Sequence, residues 1–295
     1  MARRAPSIER TVAILNFLAE HPDERFSVSE LCRRVGVPKA TAHAHLHALA
    51  DAGYLLRNPV DKTFTLGPAL VSLGVAAAAS QHDIVELARD EMRRVGNELG
   101  AQCVASTAMG GEIVLLATAG PVQAIGLTAH VGARVPLVPP LGTVFMAWAD
   151  PADVDAWVRR LGQNADELEL ERYRRALDAV RRRGYALGLD AVAMAHVNRA
   201  LLEHDDPHRY ILELGHAEYV LTELEPDASQ RVFLVAAPVF SADAKVALAL
   251  TVFGFEAPVA ADAVLGHAER LLQATRSVTA AIGGRAPVEQ AAPLT

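Results

Sequence analysis

Apolar residues recur every three or four positions through the first fifty residues of the chain. This spacing predicts an amphipathic helix over 7–20, which ends before Pro22. A second helix is predicted to begin at Ser27, because Ser27 and Glu30 have the three-residue spacing of a capping box. Gly36 ends this second helix. The apolar face of the first helix consists of Ile8, Val12, Leu15 and Ala19.

A third helix and a hairpin are predicted immediately afterwards. Pro38 suits the first position of the third helix, and Gly53 ends it. Two short helices joined by a tight turn are typical of a helix-turn-helix, whose second helix enters the major groove of DNA. The β-prone runs at 54–57 and 63–66 then predict a hairpin, and its tip would form a wing near the DNA backbone.

The pattern changes after the hairpin. Residues 68–81 are rich in alanine, valine and leucine, and they predict a linker helix. We favour its packing against a second subunit; the alternative is an ordinary buried helix. A further helix is predicted at 83–99. The period then becomes two, and an antiparallel meander is predicted from strands at 102–108, 112–119 and 125–131.

Helices and strands alternate in blocks through the remainder, which predicts an α+β domain. The further helices are predicted at 142–149, 151–161, 166–183 and 260–282. The further strands are predicted at 184–189, 219–224, 231–240 and 246–255. The predicted domains are a winged helix-turn-helix at 1–67, the linker helix at 68–81, an effector-binding domain at 82–283 and a disordered tail at 284–295.

Charge is distributed unevenly along the chain. Residues 1–75 hold nine lysines and arginines against seven aspartates and glutamates, whereas the rest holds 19 against 28. We expect the mildly basic N-terminal module to approach phosphate, which repels the acidic remainder. Only two cysteines are present, and no apolar run reaches membrane-spanning length. These features predict a cytoplasmic protein that has no disulfide and no membrane partner.

Several N-terminal features occur in an order that resembles a known family. They are the helix at 8–18, the helix that opens at Ser27, the run at 39–46, Gly53-Tyr54-Leu55 and Leu66-Gly67. Together they resemble the winged helix-turn-helix of IclR-type regulators. The effector domain of that family has a GAF-like fold. The chain resembles this domain in the runs at 132–137, 141–142, 183–186 and 236–240.

The resemblance covers residues 8 to about 282 and implies a function. A family member would be a dimer or tetramer that binds an operator in double-stranded DNA. Its DNA binding would change when a small metabolite, often a carboxylate or aromatic acid, occupies the C-terminal domain. No cofactor is implied, and we expect no enzymatic activity.

The predicted recognition helix departs from the family pattern at two positions. Ala40 and Ala44 stand where the family usually has serine and arginine. We expect these alanines to contact thymine methyl groups, which favours an unusual operator; the alternative is that DNA binding has been lost. The remaining predicted DNA contacts are Lys39, Thr41, His43, His47, Arg33, Arg34, Arg57 and Lys62.

The effector domain also departs from the family. Thr143, Gly188 and Leu234 replace a lysine, an acid and a cysteine that the family often carries. We therefore expect a ligand more hydrophobic than a short dicarboxylate, such as an aromatic, terpenoid or sterol-derived acid or thioester. The alternative is that these side chains fill the core. The predicted effector-binding residues are Leu141, Gly142, Thr143, Phe145, Met146, Leu189, Asp190, Leu234 and Val235.

Other chemistry is less well supported by the sequence. His43 and His47 share a helical face, but two ligands without a glutamate between them favour a DNA-facing helix over a zinc site. Cys103 fits a packing role better than that of a nucleophile. The segment at 190–218 is extra relative to the family, and it fits a lid or an oligomer contact equally well.

The sequence thus predicts allosteric regulation of DNA binding. Ligand would favour one arrangement of the oligomer, change the spacing of two recognition helices, and so change operator affinity. Two other classes of function remain open at this point. One is a sensor or interaction protein with a vestigial helix-turn-helix, and the other is an enzyme with a docking module.

Overall fold

The computed structural model describes residues 5–121, 131–161, 167–189, 229–230, 232–253 and 259–287. The chain divides into two compact units, Met1–His82 and Asp83–Thr295. Within the described ranges, none of the helices has both the length and the apolar composition needed to cross a membrane.

The N-terminal unit has three helices and a small antiparallel hairpin. The helices are α1 (Pro6–Glu20), α2 (Val28–Val35) and α3 (Lys39–Asp51). The hairpin pairs β1 (Leu55–Arg57) with β2 (Phe64–Leu66). All five elements lie where the apolar pattern predicts them. They enclose one core, which includes Ile14, Leu18, Leu31, Leu46 and Phe64.

The structure confirms the residues predicted to begin and end α2. The Glu30 carboxylate accepts a hydrogen bond from the Ser27 amide at 2.7 Å, and the Ser27 hydroxyl accepts one from the Glu30 amide at 3.4 Å. Gly36 ends the helix in the left-handed conformation, with φ of 70°. Pro38 precedes α3 instead of opening it, because its ψ of 138° is extended.

A single long helix, α4 (Ala69–Leu99), follows the hairpin. The sequence predicts two separate helices here, at 68–81 and 83–99, and that division is wrong. No proline or glycine interrupts the residues between Gly74 and Gly96, so the helical backbone continues. The boundary between the two compact units falls inside α4.

A six-stranded sheet forms the centre of the C-terminal unit. Its strands are β3 (Gln102–Met109), β4 (Glu112–Ala119), β5 (Arg134–Pro136), β6 (Ala186–Leu189), β8 (Val232–Phe240) and β9 (Val246–Phe253). Their order is β5-β4-β3-β9-β8-β6, and every neighbouring pair is antiparallel. Two short strands, β7 (Ser229–Gln230) and β10 (Val259–Ala260), pair separately.

Helices cover both faces of this sheet. The C-terminal half of α4 and the closing helix α8 (Ala261–Ala281) bury Met92, Val95 and Leu271 against one face. The other face packs on α5 (Thr143–Met146), α6 (Pro151–Val158) and α7 (Glu167–Arg183). A winged helix-turn-helix and an antiparallel sheet between helices confirm the predicted α+β class.

Some predicted elements differ from the structure or lie outside the described residues. The helix predicted at 142–149 is only the four-residue α5, and β5 was not predicted because three residues give too short a pattern. Most of the strand predicted at 125–131 falls outside the described residues, as do the strand predicted at 219–224 and the extra segment at 190–218.

Candidate functional site

The helix α3 has one face in the core and one face on the surface of the N-terminal unit. Ala42 and Leu46 are fully buried and hold α3 against its neighbours. The predicted contacts Lys39, Ala40, His43 and Ala44 are exposed, and Thr41 and His47 are half-buried. Within this unit, the side of α3 that the sequence assigns to DNA is therefore not used for packing the core.

One of the three histidines of α3 contacts a neighbouring helix, and the other two contact each other. The His45 ring lies 3.0 Å from the Ser7 hydroxyl and 3.1 Å from the Thr11 hydroxyl, so it fastens α3 to α1. The rings of His43 and His47 lie 4.3 Å apart and form a pair on the same side of the helix. Across the described residues, no three potential ligands are placed together to hold a metal ion.

The other predicted DNA contacts are exposed positive charges on neighbouring elements. Arg33 and Arg34 lie in the last turn of α2, and Arg57 ends β1. Lys62 lies in the hairpin loop, where its ammonium group donates a hydrogen bond to the Pro59 carbonyl. These residues lie on other elements of the same small unit as α3, and long flexible side chains of this kind suit phosphate contacts.

The hairpin loop is shaped by Asp61. Its Oδ1 accepts hydrogen bonds from the Thr63 hydroxyl at 2.6 Å and from the Thr63 amide at 3.0 Å. These two hydrogen bonds hold the pKa of Asp61 below its usual range. The ionised carboxylate therefore fixes the loop conformation at neutral pH.

A cavity of about 110 Å³ lies within the C-terminal unit. It opens between the α5 side of the sheet and the loop that leads into α5. Five predicted effector-binding residues line it: Leu141, Gly142, Thr143, Phe145 and Leu234. Gly188, which sequence comparison singled out as a departure, lines it too. The lining also includes residues that sequence reasoning missed, among them Val104, Ser106, Leu115, Val135, Thr251 and Phe253.

Two predicted effector-binding residues are not brought to the cavity. Val235 faces the opposite core, because successive residues of a strand point to opposite faces and its neighbours Leu234 and Ala236 take the cavity side. Met146 packs at the edge of the core formed by α5, α6 and α7. The side chain of Leu189 and the whole of Asp190 lie outside the described residues.

Three hydroxyl groups are the polar part of the cavity lining. Ser106, Thr143 and Thr251 are only 6%, 7% and 8% exposed. None of the three hydroxyls forms a hydrogen bond with another residue in the described ranges, and no charged side chain is part of the described lining. A hydrogen bond to a buried hydroxyl is stabilising, so these groups are suited to hydrogen-bond a bound molecule.

The loop that carries Thr143 is fixed in place by two features. The Trp157 indole donates a hydrogen bond to the Leu141 carbonyl at 3.1 Å. Gly142 has a φ of 86°, and a side chain there would place its Cβ 2.1 Å from the Leu137 Cδ1. A residue with a side chain is therefore disfavoured at Gly142 by the backbone conformation, and the Leu137 side chain would have to move to make room for it.

Cys103 lies on the face of the sheet opposite the cavity. It is completely buried, and this burial raises the pKa of its thiol to about 12. The nucleophilic form of cysteine is the thiolate, which is scarcely populated at neutral pH when the pKa is so high. The structure therefore supports a packing role for this residue.

A winged helix-turn-helix and an α+β unit that encloses a cavity, both in the same polypeptide, are typical of a ligand-responsive transcription regulator. Two family models match the sequence of this chain. Residues 7–59 match the IclR helix-turn-helix domain, and residues 76–194 match the bacterial transcriptional regulator IclR C-terminal domain. The chain belongs to the IclR family of transcriptional regulators.

Individual relatives agree with this assignment. The chain is 27% identical over 187 residues to the HTH-type transcriptional regulator XynR of Escherichia coli, a match that covers 61% of this chain and 73% of XynR. An IclR transcriptional regulator structure from Alicyclobacillus acidocaldarius superposes with a TM-score of 0.67 and 23% identity, covering 95% of this chain and 100% of that one.

A third relative has been solved with a ligand. It is an IclR homologue from Microbacterium hydrocarbonoxydans in complex with 4-hydroxybenzoate. Its structure superposes with a TM-score of 0.64 and 19% identity, covering 94% of this chain and 98% of that one. At this level of identity, the likeness shows a shared fold.

Proposed function

We propose that this regulator binds an operator through the outward side of α3, and that a small aromatic acid in the 110 Å³ cavity changes its operator affinity. The observation that carries the DNA-binding part is the division of α3 between a buried face and an exposed face. The exposed face carries Lys39, and Arg33, Arg34 and Arg57 project from the elements beside it. Positive side chains supply sequence-independent affinity for phosphate.

The base-reading side of α3 favours apolar contacts. Ala40 and Ala44 are both exposed, and a methyl side chain fits against the C5-methyl group of thymine. His43 and His47 offer ring nitrogens to base edges or phosphates beside them. We therefore expect an operator whose half-sites place thymines opposite the N-terminal half of α3. As a homodimer or tetramer, the protein would read two half-sites about 34 Å apart, one helical turn of DNA.

The cavity supports a ligand of limited size and low charge. An apolar cavity of about 150 Å³ holds benzene; the volume of 110 Å³ among the described residues is smaller, so it favours a ligand with no more than a single ring. This volume favours a monocyclic aromatic acid over the terpenoid and sterol-derived acids that the sequence leaves open. The Ser106, Thr143 and Thr251 hydroxyls would bind its polar groups. The 4-hydroxybenzoate complex of the Microbacterium relative supports the same chemical class.

The DNA-binding proposal is tested by fluorescence anisotropy on the region upstream of the protein's own gene. We expect wild-type protein to bind a site there, with an affinity that falls steeply as salt rises because counterions are released. Lys39→Ala should weaken binding and reduce the salt slope by about one. Lys245→Ala is the matched control, since it removes an exposed lysine from the other unit. Equal binding by both variants would contradict the proposed surface.

The ligand proposal is tested by thermal shift. We expect 4-hydroxybenzoate and benzoate to raise the melting temperature more than succinate does, because each brings an apolar ring and a single charge, whereas succinate brings two charges and little apolar surface to a described lining without charged side chains. Stabilisation by succinate alone would contradict an aromatic ligand. This outcome would leave the DNA-binding proposal intact.

A sensor with a vestigial helix-turn-helix is the second candidate function. The observation that favours it is the pair of alanines at positions 40 and 44, where the family usually supplies polar contacts. Such a protein would respond to ligand but would show no footprint on its upstream region, even at low salt. A protected site at low salt excludes this candidate.

A further inference from the structure

A second cavity lies in the C-terminal unit and has a different character. Its volume is about 840 Å³, and it shares no lining residue with the 110 Å³ cavity. Its lining includes Arg181 of α7, Arg276 of α8 and Arg285 beyond α8, together with Trp148 and Phe240. We call this cavity the arginine groove.

Hydrogen bonds hold the side chain of Arg181 and the backbone of Arg285 in position. The Arg181 Nε donates to the Ala147 carbonyl at 2.8 Å, and its Nη1 donates to the Asp178 carboxylate at 2.7 Å. The backbone amide of Arg285 donates to the Ser241 carbonyl at 3.2 Å. The guanidinium of Arg181 is therefore pre-positioned, and the chain that carries Arg285 is anchored beside it.

The backbone before Arg285 is packed closely against the sheet. The Gly284 amide donates to the Thr279 carbonyl at 2.8 Å. A Cβ at Gly284 would lie 1.8 Å from the Phe240 carbonyl oxygen, so only glycine fits there. The sequence predicts that the disordered tail begins at 284, whereas the structure shows that this first part is anchored and forms one wall of the groove.

The charge of the groove is opposite to that of the surrounding chain. Residues 76–295 carry 19 lysines and arginines against 28 aspartates and glutamates, yet no acidic side chain is part of the described lining of the groove. Among the described residues, two carboxylates interact with groups at the groove. Asp178 forms an ion pair with Arg181. Asp243 accepts a hydrogen bond from the Ser241 hydroxyl. The positive charges of Lys245 and Arg285 interact with the Asp243 carboxylate. Three guanidinium groups exceed these two carboxylates, so the local balance favours an anion.

The rest of the groove offers apolar surface. The Trp148 and Phe240 rings meet edge to face with centroids 5.2 Å apart. Pro238 and Leu272 extend this surface. Aromatic and aliphatic side chains beside guanidinium groups are suited to a ligand that has an apolar body and a negatively charged end.

We propose that the arginine groove is a second ligand site, which binds an organic anion consisting of a carboxylate or phosphate group on an apolar body. The guanidinium groups of Arg181, Arg276 and Arg285 hold the anionic group, and the surface of Trp148 and Phe240 covers the apolar body. This site is separate from the cavity of the proposed function and does not depend on it. The two sites differ in what meets the anionic group, which is guanidinium in the groove and hydroxyl in the cavity.

The test is isothermal titration of the full-length protein with phenyl phosphate and, in a second arm, with benzoate. The two arms distinguish a phosphate from a carboxylate, and benzyl alcohol serves as the uncharged probe. The double variant Arg276→Gln/Arg285→Gln should raise the dissociation constant of the bound anion at least tenfold. Arg182→Gln is the matched control, because this exposed arginine adjoins Arg181 but is not part of the lining; it should leave the dissociation constant unchanged.

Location is checked with a variant of the other cavity. Thr143→Val/Thr251→Val should leave phenyl phosphate binding unchanged, since neither residue lines the groove. Three results would overturn the proposal. They are equal binding by wild type and the double arginine variant, loss of binding in the threonine variant alone, and binding of benzyl alcohol as tight as that of both anions. Circular dichroism spectra confirm that each variant is folded.

Discussion

Thr143 combines two properties that are rarely found together in a buried side chain. It lines a cavity, and its hydroxyl forms no hydrogen bond with any other described residue. Thr143→Val keeps the shape and removes the hydroxyl. We predict that affinity for 4-hydroxybenzoate falls about fivefold, corresponding to a hydrogen bond worth about 1 kcal/mol, whereas thermal stability without ligand is unchanged. Titration calorimetry and thermal unfolding measure the two quantities.

Thr279→Val is the control for that prediction. The Thr279 hydroxyl accepts a hydrogen bond from the Phe240 amide at 3.1 Å in the buried part of the sheet. Its removal leaves a buried amide unpaired and should lower the free energy of unfolding by about 1 to 3 kcal/mol. Ligand affinity should not change. If Thr143→Val destabilises the free protein as Thr279→Val does, the hydroxyl of Thr143 is structural and the cavity assignment fails.

Gly142 tests the loop that shapes the cavity. Gly142→Ala places a side chain on a backbone with φ of 86° and brings its Cβ against Leu137. We predict a loss of about 1 to 3 kcal/mol in the free energy of unfolding from backbone strain. Urea unfolding measures it. Gly266→Ala is the matched control, because nothing lies within 4 Å of a Cβ there and the residue is helical. An equal effect of the two substitutions would contradict the argument.

At this scale the sequence predicts part of the cavity. Leu141, Gly142 and Thr143 are adjacent in a run that resembles the family, so the sequence alone locates them. Ser106 and Thr251 are about 145 positions apart, and only the pairing of β3 with β9 brings their strands together. Nothing local in the sequence gives that register. The prediction places both Leu234 and Val235 at the cavity, and Val235 is wrong because adjacent residues of a strand point to opposite faces.

At the scale of single elements, the capping box of α2 supports the helix that precedes α3. Ser27→Ala removes the hydroxyl that accepts from the Glu30 amide. We predict a loss of about 0.5 to 2 kcal/mol, the usual effect of removing an N-terminal cap. Far-UV circular dichroism during urea unfolding measures it. Ser29→Ala is the control, because this exposed serine lies inside α2 and does not cap it; an equal loss there would contradict the capping role.

The same box predicts a pH dependence. Hydrogen bonds from the Ser27 amide and hydroxyl lower the pKa of Glu30, and Arg33 and Arg34 lower it further. A carboxyl whose pKa is lower in the folded state stabilises the fold above its unfolded pKa and loses this effect as pH falls through its folded pKa. The stability difference between wild type and Glu30→Gln should therefore shrink as pH falls below about 4.3, the ordinary glutamate pKa. A difference that stays constant from pH 7 to pH 3 would contradict this account.

The sequence predicts short elements better than long ones in this chain. Capping residues and turn residues mark both ends of α2 and the start of the hairpin, so these boundaries are readable. In the alanine-rich part of α4 no residue caps or turns the helix, and the change of composition there does not coincide with a change of element. Helix propensity is continuous through that stretch, which explains the single helix of the structure.

At the scale of the whole molecule, the uneven charge separates two kinds of binding. The exposed lysines and arginines around α3 belong to the part of the chain with a small positive balance. The rest is acidic, so its local excess of arginine in the arginine groove is a specific feature and not a consequence of composition. We therefore expect nucleic acid to bind the N-terminal unit and small anions to bind the C-terminal unit.

The central claim is that ligand binding and operator binding are coupled in one regulator. Linkage requires the effect to be reciprocal. The most direct measurement is the dissociation constant of 4-hydroxybenzoate, determined by titration calorimetry with and without a saturating operator duplex, alongside the operator affinity with and without the acid. The account predicts that both affinities change by the same factor. Unchanged ligand affinity in the presence of bound operator would contradict it.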